Sequence, residues 1–442
     1  MRLHLLEILS RLNSSYWFVP LVVTLGGIGL AVLLLLLDAR VSLDADGPIA
    51  VLRPSSPDGA RALLSAIIGA MITAISVTFS VSIVALTVAA QHFGPRVLNN
   101  FVRQTSAQVV LGTFMATFAY SVLVLGAIRG TEPVADIPEL AVSGAVALVF
   151  ASIGALIYYV HHVSTSLQIG EIAAEIAEDL RSAFARLHAD EERSGDGEPE
   201  DMPEAPEDAF EIPAKETGYM QRVDYDPIVR LAAARDAVVW VRREPGAFVV
   251  AGTPLALVHP ADACDEAFEG TVRHACIVGR DRTLWQDPEF AAKQLVEVAL
   301  RALSPAVNEP FTAMTCIDRL TEGLACVATS PPPRASWKDA GGRPRVYTRS
   351  QSFATLFRAA FDPIRIFAGT NPAIYARLLD SVTELALLTP RMSHREELSH
   401  QAELIRRSAA AALSDADDRA FVESRYDHST RQFREGASAK RQ

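Results

Sequence analysis

The chain has 442 residues, half of them hydrophobic, and a formal net charge of −11. This length accommodates two or three domains, and the long uncharged runs place part of the chain in a membrane. Residues 190–211 hold eleven acidic side chains against one arginine and so supply −10 of the net charge. The acidity is therefore local and indicates no partner. Because the basic residues do not cluster with aromatic ones, we expect no nucleic-acid binding.

Four apolar runs predict four transmembrane helices within residues 1–165. Aromatic residues begin the first run and close the fourth, where such side chains favour the membrane interface. The predicted spans are about 16–37, 63–90, 107–128 and 139–160.

The arginines outside the spans predict the orientation of the chain. By the positive-inside rule, their small excess on one side places both termini in the cytoplasm, and a bacterial inner (plasma) membrane is expected. The two sets are Arg2, Arg11, Arg96, Arg103 and Arg181 on the cytoplasmic side, and Arg40, Arg53, Arg61 and Arg129 on the other.

The second span, residues 63–90, has 28 residues without a formal charge. Successive residues of a helix lie about 100° apart, so an arc of about 80° on this helix collects small and polar side chains. We call this arc the polar stripe, and its single large apolar member is Ile83. The stripe consists of Ser65, Gly69, Thr73, Ser76, Ser80, Ile83, Thr87 and Gln91.

Two interpretations of the polar stripe remain open. Small residues allow helices to pack closely, and hydroxyls can bond across helices or back to their own carbonyls. Alternatively, the stripe lines a pore in which Ile83 forms a hydrophobic constriction. Arg96 and Arg103 would then ring the cytoplasmic mouth and favour anions, or they would lie at the lipid headgroups.

The remainder of the chain is expected outside the membrane. A helix extends over 166–188, and the acidic, Pro- and Gly-rich segment 189–213 is predicted to be a disordered linker. Residues 214–328 form a small α+β module, in which GAFVVAGTPLALV resembles half of a biotinyl- or lipoyl-type barrel hairpin. Residues 329–349 are a loop. Residues 350–442 are helical, with predicted helices at about 350–361, 363–368, 371–389, 393–412 and 414–434.

No nucleotide-binding loop or hydrolase motif occurs, so we expect no enzyme, cofactor or metal. The four cysteines lie in the second half without metal-type spacing and are predicted to be reduced core thiols. The segment ALSPAVNEPFTA interrupts two helices with two prolines. Its polar residues either cap backbone groups or bind a ligand, with Arg280, Asp281 and Arg282 nearby. These candidates are Ser304, Asn308, Glu309 and Thr312.

The segments TFSVSIVALTVAAQHFGPRVL, GYMQRVDYD, GAFVVAGTPL and ALSPAVNEPFTA together resemble a bacterial family of predicted membrane proteins of unknown function. The resemblance is strong over residues 1–328. It implies four N-terminal transmembrane helices followed by a cytoplasmic C-terminal domain, and it transfers no activity or site residues.

The expected fold is an α-helical membrane protein with four transmembrane helices, then a mixed α/β and an all-α cytoplasmic region. The leading functional hypothesis is a homo-oligomeric inner-membrane channel or pore lined by the second span. The alternative is a membrane-anchored sensor or scaffold whose cytoplasmic domain binds an unknown ligand or protein partner. Both hypotheses include the lipid bilayer as a partner. The channel also requires further copies of the chain.

Overall fold

The computed structural model describes residues 17–40, 56–93, 105–128, 138–166, 168–192, 202–331, 336–349 and 351–439. The chain divides into two compact units, Met1–Gln168 and Ile169–Gln442. Within the described residues, the first unit holds four helices, and the second holds the strands and further helices.

Four helices of the first unit are long and apolar enough to cross a membrane, as the sequence predicts. Helix α2 has 37 residues. At about 1.5 Å per residue it reaches about 55 Å and exceeds a hydrocarbon core of about 30 Å. The four helices are α1 (Phe18–Asp38), α2 (Pro57–Phe93), α3 (Thr105–Ala127) and α4 (Glu139–Ser166).

Helix α3 lies at the centre of the first unit, since it packs against α1, α2 and α4. Gly27 lets α1 approach α3 closely, because a Cβ added there would lie 2.8 Å from Ala116 Cβ. At the end of α1, the Asp38 carboxylate accepts hydrogen bonds from the backbone N–H groups of Leu140 and Ala141, each at 2.9 Å. These bonds satisfy donors in the first turn of α4, which have no partner within that helix.

The second unit begins with helix α5 (Ile169–Glu192) and continues as an α+β module. Met220, Val239 and Phe268 are fully buried in the core of this module. Its elements are β1 (Phe210–Pro213), β2 (Gly218–Val223), α6 (Tyr225–Ala234), β3 (Val238–Val241), β4 (Phe248–Val249), β5 (Pro254–His259), a 3₁₀ turn (Ala261–Ala263), α7 (Glu266–Ala275) and β6 (Cys276–Gly279).

Helices α8 (Pro288–Ala302) and α9 (Pro310–Thr329) follow, then strands β7 (Ser336–Lys338) and β8 (Pro344–Thr348). The strands form a five-stranded sheet of order β1-β5-β3-β8-β7 and a three-stranded sheet of order β4-β2-β6. Only the β3–β8 pair is parallel among the strand pairs of the described residues. The parallel register pairs Val239 with Val346, which are both buried.

Three local predictions for this region differ from the structure. Residues 329–349 are not only a loop, because β7 and β8 lie there and extend the sheet beside β3. The end of the expected linker forms β1, which pairs with β5, while residues 193–201 lie outside the described residues. The biotinyl-type hairpin is absent from the described module, because β4 pairs with β2, whereas β5 pairs with β1 and β3.

The rest of the second unit is helical, as predicted. Its helices are α10 (Phe353–Phe367), α11 (Pro372–Leu388), α12 (Met392–Ala412) and α13 (Ala416–Ala439). The predicted break at Pro363 does not occur, because α10 continues through this residue. A proline removes one backbone donor from a helix, and here the buried face containing Phe357 and Phe361 holds the helix in place.

All four cysteines are unpaired thiols. Cys276 and Cys316 are buried, and Cys264 and Cys326 are partly exposed. Burial raises the pKa of the Cys276 thiol to about 12, so this group stays protonated near neutral pH.

Candidate pore-lining surface

Helix α2 has one face that packs within the first unit. The buried residues recur at intervals of three, four and seven, which defines one side of a helix. These residues are Ala60, Leu64, Ile67, Met71, Thr78, Ala85 and Ala89.

A polar contact fixes this face against α4. The hydroxyl oxygens of Ser82 and Tyr159 lie 2.6 Å apart, and Tyr159 Oη also donates to the Thr78 carbonyl at 3.2 Å. Thr78 and Ser82 are the two hydroxyl residues of the second span that do not belong to the polar stripe. They therefore serve helix packing, a role that the sequence analysis considered only for the stripe.

The polar stripe lies on the opposite side of α2. Its centre is about 180° from the centre of the packing face when residues are placed about 100° apart. Every described side-chain position of the stripe is exposed, and Ile83 retains 50% of its accessible surface. The exposed positions are Ser65, Gly69, Thr73, Ser76, Ser80, Ile83 and Thr87.

Most hydroxyls of the stripe donate to their own helix. Ser76 Oγ donates to the Ile72 carbonyl at 2.9 Å, and Ser80 Oγ donates to the Ser76 carbonyl at 2.9 Å. Thr73 and Thr87 make equivalent bonds to the carbonyls four residues earlier. Such bonds satisfy the donors of these hydroxyls and leave their oxygen lone pairs available to water or a polar neighbour.

The exposure of the stripe bears on the two interpretations of the sequence. Among the described residues, no helix of the same chain packs on the stripe, so packing between the described helices of one protomer does not account for it. Packing between copies and a water-filled path both remain consistent with the geometry. The side chain of Gln91 and the residues Arg96 and Arg103 lie outside the described residues.

The second set of candidates lies in the turn between α8 and α9. Ser304 Oγ donates to the Arg301 carbonyl at 2.7 Å, and Thr312 Oγ1 donates to Glu309 Oε2 at 3.3 Å. Asn308 adopts a left-handed conformation with φ of 50°. The hydroxyls are thus used locally, while Asn308 and Glu309 are exposed.

The expected neighbours of this turn lie elsewhere. Arg282 binds Asp287 through two hydrogen bonds of 2.8 Å, at the start of α8. The turn follows Ala302 at the other end of this 15-residue helix. At about 1.5 Å per residue the two places are about 22 Å apart, so the prediction that residues 280–282 lie near the turn is wrong.

A cavity of about 260 Å³ lies in the α+β module and has no counterpart in the sequence analysis. Arg273 Nε donates to the Pro213 carbonyl at 3.1 Å, and the guanidinium also pairs with Glu269. The ring nitrogen Nδ1 of His274 lies 2.7 Å from the Gly270 carbonyl. The floor of the cavity is apolar and its rim is charged. The lining residues are Ala214, Lys215, Glu216, Leu255, Gly270, Arg273, His274, Cys276 and Val278.

No metal-type cluster of three or more His, Cys, Asp or Glu side chains occurs among the residues that the structure describes. Part of the cavity could have been predicted from the sequence of α7. Gly270, Arg273 and His274 are spaced by three and four residues and so share one face of this helix. Residues 214–216 and the strands that complete the cavity come from other parts of the chain.

Comparison with known proteins agrees with this architecture. The chain is 31% identical over 420 residues to uncharacterized proteins of Mycobacterium bovis and of two strains of Mycobacterium tuberculosis. The alignments cover 94% of this chain and 80% of each relative. No solved structure matches the chain significantly. Residues 13–384 match the family described as predicted membrane protein (DUF2254), and the chain, with its four apolar N-terminal helices, belongs to this family.

Proposed function

We propose that the chain forms a homo-oligomeric channel of the bacterial inner membrane, with α2 along the path. The observation that carries the proposal is the uncovered polar stripe, which lies opposite the face that packs within the protomer. A stripe of seryl and threonyl groups facing lipid gains little, because their oxygen lone pairs would find no donors in hydrocarbon. Lining an aqueous path would hydrate them.

Ile83 is proposed to close this path. It is the only large apolar residue in the stripe, and a ring of isoleucines contributed by several copies would form a narrow hydrophobic constriction. Such constrictions exclude water and ions without a mechanical plug. The second unit, placed in the cytoplasm together with both termini, would assemble or gate the ring.

The number of spans favours several copies around one axis. In the described part of the first unit, three helices packed around α3 are too few to enclose a wide aqueous route, whereas cyclic assembly can place one copy of α2 from each protomer around a common path. The interior of the predicted second span, residues 63–90, contains no Asp, Glu, Lys or Arg. Because such residues usually mark proton- or ion-coupled transport, a coupled transporter is the weaker hypothesis.

The proposal is tested by reconstituting the purified full-length chain into planar bilayers and recording current. The wild type is compared with Ile83→Ser and with Val81→Ser, which changes an exposed apolar residue outside the stripe. Discrete conductance steps that enlarge or stay open in Ile83→Ser, and not in Val81→Ser, are the expected result. Silence of the wild type and of Ile83→Ser, across voltage and under membrane tension, would reject the channel.

The second candidate is a membrane-anchored sensor or scaffold, and the cavity of about 260 Å³ favours it. Its apolar floor suits an apolar body, and Lys215 and His274 on its rim would bind an acidic group beside Glu216, while the Arg273 guanidinium is paired with Glu269. Thermal unfolding of the full-length protein with benzoate or phenyl phosphate added tests this function. A rise of the unfolding midpoint that disappears in His274→Ala and Lys215→Ala supports it, and an unchanged midpoint contradicts it for these ligands.

A further inference from the structure

Several large apolar side chains of the helical region are exposed, and four of them lie around the start of α9 and the end of α10. Phe311 retains 80% of its accessible surface, Ile366 65%, Phe367 60% and Val307 41%. Phe311 is the second residue of α9 and Val307 lies in the turn before it, whereas Ile366 and Phe367 end α10. We call these four residues the proximal patch.

The hydrogen bonds between helices place the four residues at one end of the helical region. Glu309 N donates to the Ala302 carbonyl at 2.8 Å, so the end of α8 and the start of α9 are adjacent. Arg377 of α11 binds Asp318 of α9, and Thr389 Oγ1 donates to the Ala328 carbonyl at 3.0 Å.

In both contacts the residue of α11 lies about 60 positions after its partner in α9. The two helices therefore run parallel. The start of α9, which carries Phe311, is therefore level with the start of α11 at Pro372. Because α10 ends at Phe367 only a few residues before Pro372, its last turn lies at this same end.

Helix α5 also begins at this end. Leu180 fills the space that a side chain at Gly323 of α9 would occupy. Further along α5, Arg186 Nε donates to the Trp285 carbonyl at 3.0 Å. Trp285 lies just before the first residue of α8, Pro288, and so at the end of the region opposite to the start of α9. Helix α5 therefore runs parallel to α9, and Ile169 is level with the first turn of α9.

The covalent chain connects this end to the membrane. Helix α4, the fourth candidate span, ends at Ser166, and α5 begins at Ile169. The chain makes three Cα-to-Cα steps from Ser166 to Ile169. The two Cα atoms are therefore at most about 10 Å apart, because an extended chain advances about 3.3–3.6 Å per residue. The start of α5 is therefore tied covalently to the end of α4, the fourth candidate span.

We propose that the proximal patch inserts into the lipid interface, so that the second unit binds the bilayer surface through Val307, Phe311, Ile366 and Phe367. Aromatic and aliphatic side chains on a surface already held beside the bilayer bind it at a high effective concentration. The proposal does not depend on a channel, since it requires only that α4 spans the membrane.

Another part of the same helical region provides a matched control. Leu388, with 51% of its surface accessible, ends α11 and lies level with the end of α9. Helix α9 has 20 residues, which at about 1.5 Å per residue separates the two ends by about 30 Å. Leu388 is also a large apolar residue with about half of its surface accessible, but it lies far from the residues that follow α4.

The test places nitroxide spin labels on the full-length protein in phosphatidylcholine nanodiscs. Single cysteines replace Phe311, Phe367 and Leu388, with Ile366→Cys as a second position in α10. The partly exposed Cys264 and Cys326 are changed to serine. For each label, accessibility to oxygen, which partitions into lipid, is compared with accessibility to a water-soluble nickel chelate.

Labels at positions 311, 366 and 367 are expected to show an oxygen-to-nickel accessibility ratio severalfold higher than the label at 388. Equal ratios at both ends would overturn the proposal. Labels at the patch that are shielded from both reagents would also overturn it, because they would indicate a covering protein surface, such as a second copy.

Discussion

The hydroxyl of Tyr159 in α4 lies 2.6 Å from Ser82 Oγ in α2 and donates to the Thr78 carbonyl of the same helix. Together with the buried residues Leu64, Ile67 and Met71, this contact sets the rotation of α2 about its own axis within the first unit. Ser76 and Ser80 lie two residues before Thr78 and Ser82, and are therefore turned about 200° away. The polar stripe faces out of the protomer as a direct consequence.

Tyr159→Phe is predicted to loosen the packing of α2 on α4. The substitution removes the hydroxyl that contacts both Ser82 Oγ and the Thr78 carbonyl, and one such interhelical contact in membrane proteins is worth about 0.6 kcal/mol on average and about 1.7 kcal/mol at most. A lower thermal unfolding midpoint of the detergent-solubilised chain is expected. Tyr158→Phe is the matched control, since Tyr158 is exposed in the described part of the helix and should leave the midpoint unchanged.

Ser76→Leu combined with Ser80→Leu is predicted to abolish most of the single-channel current. Each substitution adds an isobutyl group to the proposed path and removes a hydroxyl that water can bind. Val77→Leu with Val81→Leu has the same spacing on α2 and changes exposed residues outside the stripe, so its current should match the wild type. Equal currents from both double variants would show that the stripe does not line the path.

The sequence was sufficient to predict which segments form the spans. It was insufficient to predict which face of each span packs against the other helices. An apolar run of about 20 residues has few alternatives to a membrane helix, so α1 to α4 could be predicted from length and composition. The period of α2 also separated the stripe from Thr78 and Ser82. Which of the two sets packs inside the protomer depends on the other helices, which cover Leu64, Ile67 and Met71 and supply Tyr159 about eighty residues later.

The remaining differences in the second unit have the same origin. Strands β7 and β8 are three and five residues long, and β8 pairs with β3, which lies more than 100 residues earlier. Short strands of this kind are stabilised by their cross-strand neighbours rather than by their own pattern. Likewise, the distance between Arg282 and the turn after Ala302 depends on the straight helix between them. Proximity in the sequence therefore gave the wrong expectation.

Gly246→Ala is predicted to destabilise the second unit more than Gly252→Ala. Both glycines have a left-handed φ, 89° and 87°, so alanine is strained at either position by about 1–2 kcal/mol. At Gly246 the added Cβ would also lie 2.3 Å from Asp287 Oδ2 and 2.8 Å from an Arg282 nitrogen. At Gly252 it would meet no atom within 4 Å.

Gly252→Ala measures the destabilisation caused by backbone strain alone. Gly246→Ala adds the destabilisation caused by displacing the buried Arg282–Asp287 pair. Thermal unfolding of the two full-length variants measures the difference, and Gly246→Ala should have the lower midpoint. Equal midpoints would mean that the Asp287 side chain moves aside without cost. Such a result is not expected, because its carboxylate also accepts from Phe290 N at 3.0 Å and holds the start of α8.

Glu397→Gln is predicted to remove a pH-dependent contribution to stability. Glu397 in α12 accepts two hydrogen bonds from Arg358 in α10, at 2.7 and 2.6 Å. These bonds, made to the charged carboxylate, lower the pKa of Glu397. A glutamate whose pKa is lower in the folded state stabilises the fold above its unfolded pKa of about 4.3, and this stabilisation is lost as the pH falls through the folded value.

Wild type and Glu397→Gln should therefore differ most near neutral pH, by about 1 kcal/mol or less because Arg358 is largely exposed. The difference should shrink as the pH is lowered below about 4.3. Thermal unfolding midpoints at a series of pH values measure it, with Glu396→Gln as the control at an adjacent exposed residue. A difference that stays constant over the whole series would assign the effect of Glu397 to packing of its side chain rather than to its charge.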